Sequence, residues 1–211
     1  MKSRHSAFTL IELLVVIAII AILAVVVVLT LNPAQLLAQA RDSNRASDFA
    51  TLKSAIGLYA ADVSTSTWLN GGNATNGPTI GTSTIMISGA TTVPSSTFTC
   101  NSASTCWGYL GGETIVSSTV AQGATARAIN GTGWIPVNFA VISSGAPIGS
   151  LPVDPVNNNT NVYSFVGAQT TYKLATKMES AKYSFGGSND VESTDGGNST
   201  STYEQGTNLA L

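Results

Sequence analysis

An aliphatic run near the amino end constrains this chain more than any other feature. Residues Leu13 to Leu29 are 17 consecutive Leu, Val, Ile or Ala, and between Leu10 and Leu31 only Glu12 and Thr30 are polar. As an α-helix, those residues span roughly 33 Å at about 1.5 Å each, enough to cross a bilayer core. A helix apolar on every side needs lipid or other protein all around it. The leader before it holds Lys2, Arg4 and His5 and no acid. That end should stay cytoplasmic while the rest faces outward.

Three arrangements compete for the run. A cleaved secretory signal would use Ala38-Gln39-Ala40 as its small-residue cleavage site. However, a signal's apolar stretch is about 7–15 residues, and this triplet lies well past the run, beyond Pro33. An uncleaved signal anchor would hold an outer domain that never assembles. The third arrangement depends on Glu12. An ionised side chain at mid-membrane depth costs roughly 2.5 kcal/mol or more, and such residues usually have a partner. No Lys or Arg lies within a helical turn of Glu12. Either the carboxylate sits near the interface, or its partner belongs to another molecule.

The residues around Glu12 carry a resemblance. Ala7-Phe8-Thr9-Leu10-Ile11-Glu12-Leu13-Leu14, after a basic leader, resembles the prepilin cleavage and methylation motif of type IV pilins and type II secretion pseudopilins. The resemblance implies a leader of residues 1–7, cut between Ala7 and Phe8 by a membrane-embedded prepilin peptidase. The same enzyme would N-methylate the new Phe8 amine. It also implies that Glu12 pairs with the Phe8 amine of a neighbouring subunit during assembly, which would make an unfavourable charge into a register device. Two positions depart from the family pattern. Ala7 stands where Gly is usual, and Leu29 stands where many pilins have a helix-breaking proline. The nearest proline is Pro33, so any break in the helix should shift there.

Beyond the run, Phe49, Leu52, Ile56, Tyr59 and Val63 recur at steps of three or four and form one apolar stripe. Asp42, Arg45, Asp48 and Lys53 are expected on the opposite face, with Arg45 three residues from each aspartate. The expectation is one helix from about Phe8 to Ala61: a membrane and assembly segment over 8–31, then an amphipathic continuation over 32–63. The stripe should be the core of an outer domain over 64–211.

The outer domain is built differently. From Ala61 to Leu211, 75 of 151 residues are Ser, Thr, Asn or Gly. Strand-like runs are Thr84–Ser88, Thr114–Val120, Val162–Val166 and Tyr172–Met178, the last two reading as a hairpin. The fold class is therefore α+β, with a small antiparallel sheet packed on the helix stripe, as the resemblance also implies. The segment from Trp134 to Pro155 is too proline-rich for a central strand. It reads as an ordered loop anchored by Trp134 and Phe139. Its string LPVDP, followed by Asn residues and Tyr163, resembles a stretch that precedes the last strands of many pseudopilins and pilins.

Cys100 and Cys106, close together in an extracytoplasmic domain, are expected to form a disulfide; the alternative is two free thiols. Asp190, Glu192 and Asp195 lie in an acidic Gly/Asn-rich loop and are weak candidates for calcium, which tolerates irregular oxygen ligands. Major pseudopilins carry a calcium site late in the chain, though this spacing does not match an EF-hand. Asn73, Asn130, Asn158 and Asn198 each begin an N-x-Ser/Thr sequon.

Charge and composition exclude other classes. Nine Lys and Arg stand against eleven Asp and Glu with no basic cluster, which argues against a nucleic-acid partner. One His and two Cys leave no room for a usual zinc site. The sequence shows no nucleophile–base pairing and no phosphate loop, so no enzymatic role is expected. The expected function is a structural subunit of an extracellular type IV pilus-like filament. Its partners would be copies of itself, the prepilin peptidase, the inner-membrane assembly platform and, for the precursor, the cytoplasmic membrane. The alternatives are a type II secretion pseudopilin and the non-assembling anchored protein.

Overall fold

The computed structural model describes residues 8–63, 84–88, 117–120, 126–158, 161–168 and 171–209. Ala7, Asn73, Cys100, Cys106 and the start of the Thr114–Val120 run lie outside these residues. The chain divides into two compact units, Met1–Ala38 and Gln39–Leu211.

Helix α1 spans Leu10–Leu31. Thr9, in extended conformation, is its N-cap: its Oγ1 accepts from the Glu12 amide, and the Glu12 carboxylate accepts from the Thr9 amide. This reciprocal pair satisfies donors that a helix start leaves open. No residue of Leu10–Val28 is buried within the chain. The helix ends at Asn32, which adopts the left-handed conformation with φ 38°. Asparagine tolerates that region better than any β-branched residue. Helix α2, Pro33–Asp62, begins at the next residue. Pro33 occupies a first-turn position where its missing N–H is harmless. The Asn32 carbonyl and side chain both accept from the Gln35 amide. The break expected near Pro33 therefore falls on Asn32, which closes one helix and caps the next.

In the second unit, Phe49, Leu52, Ile56 and Tyr59 of α2 are buried, with Ala55 beside them. The predicted stripe is the helical side of the core. Phe49 meets Tyr163 edge-on at 5.1 Å and stacks on Tyr203 at 5.9 Å. Tyr59 meets Phe139 at 6.2 Å. Burying each such side chain contributes roughly 1.5–3 kcal/mol.

The sheet has five strands in the order β2-β1-β3-β4-β5. They are β1 Thr84–Ile87, β2 Ser117–Val120, β3 Ser164–Ala168, β4 Thr171–Thr176 and β5 Tyr203–Gly206. Strands β3 and β4 form the expected hairpin, with Phe165 opposite Leu174. Strand β5 adds antiparallel to β4, and β1 adds antiparallel to β3. Strand β2 pairs with β1 in parallel, a departure from the all-antiparallel expectation. Strand β5 itself was not expected. Its apolar–polar alternation is inverted, because Glu204 is the buried residue and Tyr203 and Gln205 are only partly covered.

The proline-rich segment is an ordered loop, as predicted. Trp134 and Phe139 are fully buried, and the Trp134 indole donates to the Pro152 carbonyl at 2.9 Å. A short 3₁₀ turn, Phe139–Val141, is capped by the Asn138 side chain.

Candidate processing and assembly site

In the first unit, Phe8 and the first turn of α1 form the site. Phe8 is 77% exposed. Glu12 accepts from the Thr9 hydroxyl at 2.7 Å as well as from its amide at 2.8 Å. The carboxylate that lacked a cation by sequence thus has a partner within its own turn. Its negative charge lies at the positive end of the helix dipole, where anions are favoured. Thr9 was not singled out from the sequence, although Thr three residues before Glu is a capping-box signature.

In the second unit, α2 positions a buried ionic cluster. Arg45 was expected on the polar face, paired with Asp42 and Asp48. The structure overturns this placement: the Asp42 and Arg45 side chains are 1% and 0% exposed. Positions 42, 45, 49, 52 and 56 lie on one helical face, so the pair extends the apolar stripe instead of opposing it. Arg45 Nε and Nη2 donate to the two oxygens of Asp154 at 2.7 and 2.9 Å, and Nη1 donates to Asp42 at 2.8 Å. Arg45 Nη2 also meets Glu179. Asp48 instead accepts from the Tyr163 hydroxyl at 2.7 Å. Lys53 is exposed, as expected, and reaches Gln205.

The cluster gives LPVDP its role. Asp154 takes the guanidinium fork and also accepts from the Val156 and Asn157 amides. Asp42 accepts from the Glu179 and Ser180 amides at 2.9 and 2.8 Å. One arginine thereby joins α2, the proline-rich loop and the segment after β4. Burial opposes the Arg45 charge, but the hydrogen bonds it donates to Asp154 and Glu179 raise its pKa above the ordinary value.

The calcium candidates are not brought to a common point. Asp190 accepts from the Gly186, Glu192 and Ser193 amides. Glu192 is buried and accepts from the Met178 and Phe185 amides. Asp195 accepts from Gly197 and Glu204. Among the described residues, no group of three or more His, Cys, Asp or Glu is placed to hold a metal. The physical reason is local: each carboxylate organises its own turn. Burial pushes Glu192 and Asp195 above the usual carboxylate range, while the Ser193 hydrogen bonds hold Asp190 below it.

Comparison with curated proteins and with solved structures finds no match to this chain. Residues 2–28 match the family model described as the prokaryotic N-terminal methylation motif. That match covers the basic leader, Phe8, the Thr9–Glu12 box and most of α1, and it marks a membrane-anchored precursor processed by a prepilin peptidase. The chain carries the amino-terminal signature of the type IV pilin and pseudopilin family, ahead of an α+β fold.

Proposed function

We propose that this protein is the structural subunit of an extracellular type IV pilus-like filament. The observation that carries the reading is α1 itself, apolar on every side and unburied within its own chain. Such a surface needs lipid first and other copies of the same helix afterwards. Cleavage between Ala7 and Phe8 removes Lys2 and Arg4, leaving seven basic and eleven acidic side chains. Residues 10–31 then move from the membrane into a bundle of identical segments. Glu12, held at the helix start by Thr9, meets the Phe8 amine of the next subunit and sets the axial step.

Amino-terminal sequencing of the mature protein tests the processing step. N-methyl-Phe8 is expected, whereas a start at Arg41 would indicate secretion and a start at Met1 a permanent anchor. Glu12→Ala should insert into the membrane normally but enter filaments poorly, read by immunoblotting of sheared fibres. Normal filaments from that variant would refute the register role. Electron microscopy of sheared fibres separates a surface pilus from the pseudopilin alternative, which predicts no surface fibre.

A further inference from the structure

The acidic loop taken as a weak calcium candidate places Asn198 over a buried lysine and a buried carboxyl group. Lys173 on β4 lies opposite Gly206 of β5, and Glu204 is two residues before Gly206. Side chains alternate along a strand, so Lys173 and Glu204 share a face of the sheet. Both side chains are fully buried, with Lys173 Nζ 3.2 Å from Glu204 Oε1. Nζ also lies 3.3 Å from Asn198 Oδ1 and 3.4 Å from the Leu209 carbonyl. Glu204 Oε2 accepts from the Ser199 amide at 3.1 Å, while Oε1 is the oxygen that faces Lys173 Nζ.

The loop is built to hold this approach. Asp195 accepts from the Gly197 amide at 2.8 Å and from the Glu204 amide at 2.5 Å, fastening the loop to the start of β5. A Cβ at Gly197 would lie 1.6 Å from Glu204 Oε2, so glycine lets the backbone pass this close without displacing the carboxyl group. Asn198 stands at the exposed side of the cluster, which leaves a small leaving group a way out.

We propose that Lys173 and Asn198 form an intramolecular isopeptide bond, with Glu204 as the catalytic acid–base. Two opposite charges are unfavourable away from water, and passing one proton from Lys173 to Glu204 leaves a neutral amine beside a neutral carboxyl group. Burial pushes Glu204 above the usual carboxylate range. The Nζ lone pair forms a bond to Asn198 Cγ, and the carbonyl electron pair moves onto Oδ1, which the Glu204 carboxyl group stabilises by hydrogen bonding. Glu204 then relays a proton from Nζ to the amide nitrogen. The Cγ–N bond breaks, the carbonyl re-forms, and ammonia leaves. One amide replaces another, so neither an oxidant nor a reductant is needed. Fixed proximity supplies what free amines and amides in water lack. The bond would lock β4 to the loop ahead of β5 and resist pulling along the sheet. It would also give Asn198 a role other than that of a sequon.

Peptide mapping of the full chain, purified in detergent and digested with trypsin, tests the proposal. The expected product is a branched peptide joining the Lys173 and Asn198 segments, lighter than its two parts by one ammonia, with no cleavage after Lys173. Asn198→Ala and Glu204→Gln should each yield linear peptides cleaved after Lys173. Linear wild-type peptides at full mass would overturn the proposal, and this reading does not depend on whether a variant folds. A cyclic imide at Asn198 loses the same ammonia but leaves Lys173 cleavable, and finding it alone would equally overturn it. A link that persists in Glu204→Gln would overturn the role of Glu204.

Discussion

Arg45 joins more segments of the second unit than any other charged residue described there. Its guanidinium is fully buried, and three carboxylates from two other segments and its own helix turn converge on it. Arginine suits the position because its planar fork takes both Asp154 oxygens and keeps further donors for Asp42 and Glu179. Removing one partner of a buried pair leaves uncompensated charge, so Arg45→Ala should cost about 3–5 kcal/mol in denaturant unfolding. Combining Arg45→Met with Asp154→Asn should recover part of that loss, which a double-mutant comparison would measure. Strictly additive losses would contradict the coupling. The sequence showed the Asp42–Arg45 spacing but not the face it occupies. A charged pair three residues apart usually marks a solvated side, and only the distant Asp154 and Glu179 make burial tolerable here.

At the scale of elements, α2 was the most legible part of the second unit. Its apolar period reads directly as a buried stripe, because a single core face requires residues at steps of three and four. Phe49→Ala should therefore cost about 3–5 kcal/mol, since it empties the space between Tyr163 and Tyr203. Leu58, 40% exposed on another side of the same helix, should change stability by no more than about 0.5 kcal/mol when replaced by Ala. Thermal melts of the two variants check the contrast, and a similar loss in both would contradict the assigned core face. Strand β5 was illegible for the opposite reason. Its buried residue is Glu204, satisfied by Lys173 from the neighbouring strand, so hydrophobic alternation cannot reveal it. The break between the helices was half legible: Pro33 marks the region, but Asn32 takes the left-handed turn.

Over the whole molecule, buried acids set the pH response. Burial raises Asp48, Glu192, Asp195 and Glu204 above their ordinary values. For each, the native state holds its proton to higher pH than the unfolded chain does. Their contribution to stability is therefore present below the ordinary carboxylate value, about 4, and falls as pH rises through the native values. Asp62 and Asp190 act in the opposite sense. Hydrogen bonds from Ser143 and Ser193 lower them, and their contribution is lost as pH drops below about 4. Melting temperature should decline from mildly acidic to neutral pH, and Asp48→Asn should make that decline shallower. A stability that climbs through the same interval would contradict the assignment. In a filament the low charge density also matters, because like charge repeated along an axis accumulates repulsion.

Residue order alone determined the apolar helix, the processing motif and the core face of α2. Each of these depends on local composition or on a period within one segment, and neither needs knowledge of what lies across the fold. Only the tertiary structure decided that Asp42 and Arg45 turn inward, that β2 joins in parallel and that the late acidic loop binds its own amides. Only it brought Lys173, Asn198 and Glu204 together. Those outcomes depend on pairings between segments far apart in the chain, where the partner that satisfies a buried charge lies outside any sequence window.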